Sequence, residues 1–234
     1  MIMKQIWSMI KIELYKMIRG HIPIYILAFY SFLLFIHMQD KTWEAFLNDT
    51  FFMYSTVIGL MGFGILSSWV FGREYQDQTF KDLLSLPISR TSLVCAKFLA
   101  LELCFIGITA LAIGVTFTLG SCFHLADFNL TLVGSIVKRI VIATSYNIGL
   151  CFLFPFIASM SRDILVPVSV SFGALITAVI FGSQPIGRYI PWSIPGIYLS
   201  NPQLINWISR LSISGIVFIG IYGTILWWNY ADQK

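Results

Sequence analysis

Six stretches of this chain contain no Asp, Glu, Lys or Arg: residues 22–39, 50–72, 103–126, 140–161, 164–187 and 211–231. A helix that crosses a bilayer needs roughly 20 mostly apolar residues, so each stretch is about one crossing long. Composition agrees. Of 234 residues 57% are hydrophobic and 11% charged, about half the charged fraction of a soluble domain, which names lipid as the solvent and excludes a disordered tail or a collagen-like repeat. The first stretch is the shortest and opens with His21 and Pro23. Proline is tolerated in a first helical turn, where its missing N–H would lack a partner anyway. No small-residue cleavage pattern follows, and Met38-Gln39-Asp40-Lys41 ends the stretch, so it reads as a full span and not as a signal peptide. The expected fold is an all-α membrane protein of six transmembrane helices in a single domain over 1–234.

Lysines and arginines orient it, since cytoplasmic loops hold the excess. Lys4, Lys11, Lys16, Arg19, Arg73, Lys81, Arg90, Lys97, Arg162 and Lys234 fall on one side; Lys41, Lys138, Arg139, Arg188 and Arg210 fall on the other. Ten against five places both termini in the cytoplasm. Cys95, Cys104, Cys122 and Cys151 show no C-x-x-C spacing and read as small apolar residues, with only Cys122 near the external face. His21, His37 and His124 are far apart, so no metal site is expected. No nucleic acid is expected as a partner either.

The polar residues carry the remaining information. In residues 1–20, positions 2, 6, 10, 14 and 17 form an apolar stripe, and Lys4, Lys11 and Lys16 lie off it. This describes a basic amphipathic helix in the membrane interface. Between the second and third spans, Arg73, Glu74, Asp77, Lys81, Asp82, Arg90, Lys97 and Glu102 gather eight of the 26 charges. Thr79 suits the cap of a short helix with Asp82 three residues on, Phe80, Leu83 and Leu84 form its apolar face, Pro87 ends it and Ser89 caps the next span. Glu102 lies in the first turns of that span, deep enough to need a partner, for which Lys97 or the Arg73–Glu74 corner is nearest; a structural tie is favoured over a proton-coupling role. Arg162 and Asp163 fix a short turn between spans four and five.

Residues 184–210 form the longest external link. Asn201 with Pro202 starts a short helix, and Trp192, Tyr198 and Trp207 suit an interfacial aromatic belt, so the link reads as short helices dipping partly into the outer leaflet. Gly59, Gly62 and Gly64, then Ala110 and Gly114, then Ala174, Ala178 and Gly182 give small faces for close helix packing. The twenty phenylalanines either face lipid or line an apolar route.

Arg73-Glu74-Tyr75, Thr79, Leu83-Leu84, Pro87 and Arg90, with Lys97 leading into a span, resemble the cytoplasmic signature of type-2 ABC exporter permeases. The resemblance implies an N-terminal elbow helix over 1–20 with Lys11, Lys16 and Arg19 on its basic face. It implies a coupling segment over 73–90 in which Arg73, Glu74, Asp77, Thr79, Phe80, Leu83, Leu84, Pro87 and Arg90 meet an ATPase, with Phe80, Leu83 and Leu84 seated in a groove of that motor. It also implies re-entrant helices at 184–210 over the outer mouth. Such permeases dimerise through spans one and five, which makes Ala174, Ala178 and Gly182 the interface candidates, with a second copy or a similar permease as partner. One departure is Gln78 before Thr79, where the family more often has glycine.

No Gly-x-x-x-x-Gly-Lys-Ser/Thr occurs in the chain. ATP and Mg would therefore sit on two separate ATPase subunits, and no cofactor or catalysis is expected in this chain. The resemblance further implies a bacterial cell-membrane exporter of amphipathic or hydrophobic cargo, as in the permeases of lantibiotic immunity and bacitracin resistance. An intramembrane enzyme would need a convergent catalytic set, and a channel a polar ring or filter; Glu102 with no histidine near it supplies neither.

Overall fold

The computed structural model describes residues 2–36, 42–84, 88–123 and 125–230, and among these there is no strand, only an isolated bridge between Thr42 and Ala126. In chain order the elements are α1 (Ile2–Arg19), α2 (Ile22–Ile36), α3 (Trp43–Met53), a π-helical segment (Tyr54–Gly62), α4 (Phe63–Gln76), α5 (Phe80–Leu84), α6 (Arg90–Cys122), α7 (Leu130–Cys151), α8 (Leu153–Ser161), α9 (Leu165–Gly182), α10 (Ile194–Ser200) and α11 (Trp207–Tyr230). Three-residue-per-turn pieces at Pro185–Tyr189, Pro191–Ser193 and Pro202–Leu204 flank α10, each with a proline at its first position.

Among the described residues, five helical stretches are long and apolar enough to cross a bilayer: Trp43–Gln76, Arg90–Cys122, Leu130–Ser161, Leu165–Gly182 and Trp207–Tyr230. A sixth crossing exists only if Ile6–Arg19 and Ile22–Ile36, bent at 51°, count as one broken span. This qualifies the expectation of a full first span, because the described part of α2 has 15 residues, fewer than hydrocarbon requires. The bend falls at Gly20 and His21, the latter with φ 58°, a left-handed conformation that ends α1. Pro23 sits in the first turn of α2, where no N–H is missed.

The first three of these stretches have 34, 33 and 32 residues, or about 50 Å at 1.5 Å per residue, against a hydrocarbon core of about 30 Å. Their ends therefore stand in the polar zones, and Lys138 and Arg139 lie within α7 and not before it. Span four breaks at Phe152, between α7 and α8, where Pro155 has no N–H to offer the carbonyl of Cys151.

Span two is the central stave. It packs against α7, α8 and α9 because glycines let those helices approach: a Cβ on Gly59 would overlap Asn147, and one on Gly64 would overlap Ser171. Phe46, Phe51, Phe63 and Phe71 are buried along it, with Phe63 stacked on Phe105 at 4.1 Å, whereas Phe29, Phe32 and Phe35 of α2 face outward. Ala174 and Ala178 are also buried, 4% and 5% exposed, the latter packed with Leu60, Leu150, Ile194 and Ile197. The small face of span five is thus used inside the chain, which removes Ala174 and Ala178 as contacts to a second permease; of the three candidates Gly182 has open space at its Cα, as does the neighbouring Gly173.

The link before span six folds over the far end of the bundle. Ile194 and Ile197 of α10 are buried, and Asn201 caps the Pro202 turn by accepting from the Gln203 N–H at 3.2 Å, as the sequence suggested. Two of the three belt aromatics pack inward instead: Trp192 stacks on Phe154 and Tyr198 meets Tyr146 edge-on, leaving Trp207 exposed.

Candidate functional site

Four side chains of opposite charge meet where α1, the end of α4 and the start of α6 converge. Lys97 is fully buried, and its Nζ donates to Glu74 Oε1 at 2.7 Å, to the Val70 carbonyl at 3.1 Å and to Glu13 Oε2 at 3.3 Å. Lys16 Nζ closes the square, 2.8 Å from Glu13 Oε1 and 3.5 Å from Glu74 Oε1. Two lysines and two glutamates cancel, and each ion has an opposite neighbour, the condition under which buried charge is tolerated. Glu74 Oε2 is the one oxygen of the two buried carboxylates without a hydrogen-bond partner. Phe71 lies under the Lys97 ammonium at 5.5 Å.

Helical spacing explains the meeting. Ile10, Glu13 and Met17 form the buried side of α1, which lies along α6, so an acidic residue sits on an otherwise apolar stripe. Glu13 is the member of this charged site that the sequence reading missed. The available signal was its position within that stripe, three residues before Lys16.

Beyond the square, Arg73 pairs with Asp77 at 2.8 Å and lies over the Trp69 ring at 4.9 Å. Arg73 and Asp77 thus pair at the surface, while the adjacent Glu74 turns inward to the lysines. Gln78 then takes φ 57°, the left-handed conformation that glycine adopts freely and other residues at a cost of about 1–2 kcal/mol. The tight turn is kept despite the missing glycine. The Thr79 carbonyl accepts from the Leu83 N–H at 3.1 Å, which starts α5.

Phe80 does not point outward. It is buried, stacked on Tyr75 at 4.3 Å and edge-on to Trp228 at 5.0 Å, so it belongs to the chain's own core and is not free to seat in another protein. Arg90 likewise turns inward and donates to the carbonyl of Trp228 at 3.0 Å, satisfying the otherwise open carbonyl end of α11. Leu84 closes α5, and Pro87 lies outside the described residues. Asp77, Thr79 and Asp82 remain exposed.

These residues border two adjoining hollows between α1 and α5. One, of about 410 Å³, is lined by Lys16, Trp69, Arg73, Glu74, Asp77 and Asp82; the other, of about 140 Å³, by Met9, Ile12, Ile88, Leu93 and Ala96. Leu83 borders both. The turn between spans four and five stands beside them. There Asp163 Oδ1 accepts from the N–H groups of Ile164 and Leu165 and from Gln76 Nε2, which hold its carboxyl below the usual range.

Lys11 lies 5.6 Å from the Trp7 ring, and Lys11 and Arg19 are exposed on α1. Glu102 makes no ion pair or hydrogen bond among the described residues, which corrects the expected tie to Lys97. The physical reason is depth. The uncharged part of α6 from Leu103 to Cys122 by itself fills a hydrocarbon core, so Glu102 stands at its boundary and needs no partner. No group of three or more His, Cys, Asp or Glu is placed to hold a metal ion among the described residues.

Long apolar spans, glycine-mediated packing around span two and a charge-locked corner at one end describe a multi-pass membrane protein. A family profile described as ABC-2 family transporter protein matches residues 9–179, and the chain belongs to that family as an ABC transporter membrane subunit. It is also similar to the bacitracin transport permease protein BCRB of Bacillus licheniformis, with 22% identity over 192 residues that cover 79% of this chain and 90% of that protein.

Proposed function

We propose that the chain is the membrane half of an ATP-driven exporter that moves an amphipathic or hydrophobic peptide out of the membrane or cytoplasm of a bacterial cell. The similarity to a bacitracin transport permease along nearly its whole length carries this reading. Two copies, or one copy with a similar permease, work with two ATPase subunits that hold ATP and Mg. Both termini and the four-charge corner face the cytoplasm. The ATPase seats against α5 and the exposed Asp77, Thr79 and Asp82. Displacement of α5 then moves span two through α4, and moves α1 and α6 with it through Glu74, Lys16, Glu13 and Lys97.

Reconstitution with the ATPase tests this. A bacitracin-type peptide is expected to stimulate ATP turnover, and Asp77→Arg with Asp82→Arg to abolish co-purification of the two proteins. Intact transport and co-purification in that double variant would refute the docking face. An ATPase indifferent to the peptide would refute the cargo class.

A further inference from the structure

Span two contains a feature that the coupling reading does not use. Residues Tyr54–Gly62 form nine residues of π-helix in the middle of a continuous 34-residue stretch, closed by the Phe63 N–H donating to the Ile58 carbonyl five residues back. π segments are rare, weaken the helical ladder locally, and are among the few recognised causes of sharp helix bends.

Its two sides differ. Toward span four, Asn147 Nδ2 donates to the Ser55 carbonyl and to Ser55 Oγ, both at 3.0 Å, and the Cys151 thiol approaches the Gly59 carbonyl at 3.4 Å. Gly59 permits this approach, since any Cβ there would overlap Asn147. The contact is incompletely satisfied: Asn147 Oδ1 and Thr144 Oγ1 are buried with no partner. Toward span one the segment borders an open apolar groove of about 350 Å³ between Ile22, Tyr25, Ile26 and Phe29 of α2 and Val57, Met61 and Ile65.

The parts on either end are firmly held. α4 is clamped to α1 and α6 by the four charges and packed on α8 and α9, which move with it, and α3 packs against α7 and α10. We propose that the π segment is a hinge between these two bodies, that Asn147 is the latch holding it straight against span four, and that opening the latch lets α4 and its clamped partners swing toward span one into the groove. From Ile58 to Asp77 the arm is about 28 Å long, and a bend of about 20° displaces its tip by about 10 Å.

The inference is tested on the full chain in lipid nanodiscs without any ATPase, so its outcome is independent of the proposed function. Spin labels at the exposed Asp77 and Lys138 report the two bodies against each other, and labels at Asp77 and Lys11 report within the clamped body. The native chain is expected to give one narrow Asp77–Lys138 distribution. Asn147→Leu is expected to add a second population displaced by several ångströms, to leave the Asp77–Lys11 pair unchanged, and to lose the second population when Val57→Trp fills the groove. Should the Leu variant fail to fold, Ser55→Ala removes one of the two latch bonds and is expected to show the same displacement at lower occupancy. An Asp77–Lys138 distribution unaltered by the latch variants, or broadening of both pairs alike, overturns the hinge.

Discussion

The basic end of the bundle and its middle solve the same problem with different chemistry. At the basic end Glu13, Lys16, Glu74 and Lys97 join three helices through full charges. In the middle, helices are joined by neutral groups: Tyr30 Oη with Thr116 Oγ1 at 2.6 Å, Tyr54 Oη with Thr109 Oγ1 at 2.7 Å, and Asn147 with Ser55. The division follows the cost of charge in hydrocarbon, several kcal/mol per ion at the bilayer centre by insertion scales and little near the boundary. Ions can be collected where headgroups and water lie within reach. Deeper, alcohols and amides bond across helices and leave little behind if the bond is lost. The charged end therefore stands or falls as a unit, and the neutral middle can yield one contact at a time.

Removing one member of the square is the largest expected disturbance. Lys97→Met leaves the two buried carboxylates only the part-exposed Lys16 as counter-ion and should cost about 3 kcal/mol, read as a lower midpoint of thermal unfolding in detergent. Adding Glu13→Leu and Glu74→Leu should recover most of that loss. If Lys97→Met alone is harmless, the corner is not a unit and the comparison fails.

Single cuts in the middle should be milder. Tyr54→Phe or Tyr30→Phe removes one interhelical hydrogen bond, and each threonine keeps its bond to its own helix. A loss of about 0.6–1.7 kcal/mol is expected in the same measurement. Gln78→Gly should act in the opposite direction. It relieves the left-handed backbone beside the charged end and should raise stability by about 0.5 kcal/mol. The smallest effect concerns Asp163. Its carboxyl is held below the usual range in the folded protein, so its contribution is present above the ordinary carboxylate range and fades as the pH falls through the lowered value. Asp163→Asn should lower the neutral plateau slightly and flatten the acid limb, leaving stability at the acid extreme unchanged.

The sequence revealed most where a single local rule decides. Uncharged runs located the spans, Asn201-Pro202 located a turn, and the charges of residues 73–102 marked the end that carries the corner. It was less informative where distant elements choose partners. The charge of Glu74 invited pairing with its neighbour Arg73, but the pairing was decided by α1 lying along α6, a contact no spacing rule contains. Phe80, Ala174 and Ala178 looked available to another protein because sequence shows an apolar face and not what covers it. The π segment carries no local sequence signature, and the Asn147–Ser55 contact beside it joins residues 92 positions apart.

The four-charge corner also constrains how a chain like this can change over generations. Because Lys97 and the two glutamates share one buried space that the part-exposed Lys16 closes, losing any one of the buried three leaves an opposite charge short of a partner, while losing a matched pair leaves mainly a packing change. Lineages that abandon the corner are expected to do so by paired replacement, Lys97 together with Glu74 or Lys16 together with Glu13. A survey of relatives should find these positions charged together or apolar together, and seldom half of each.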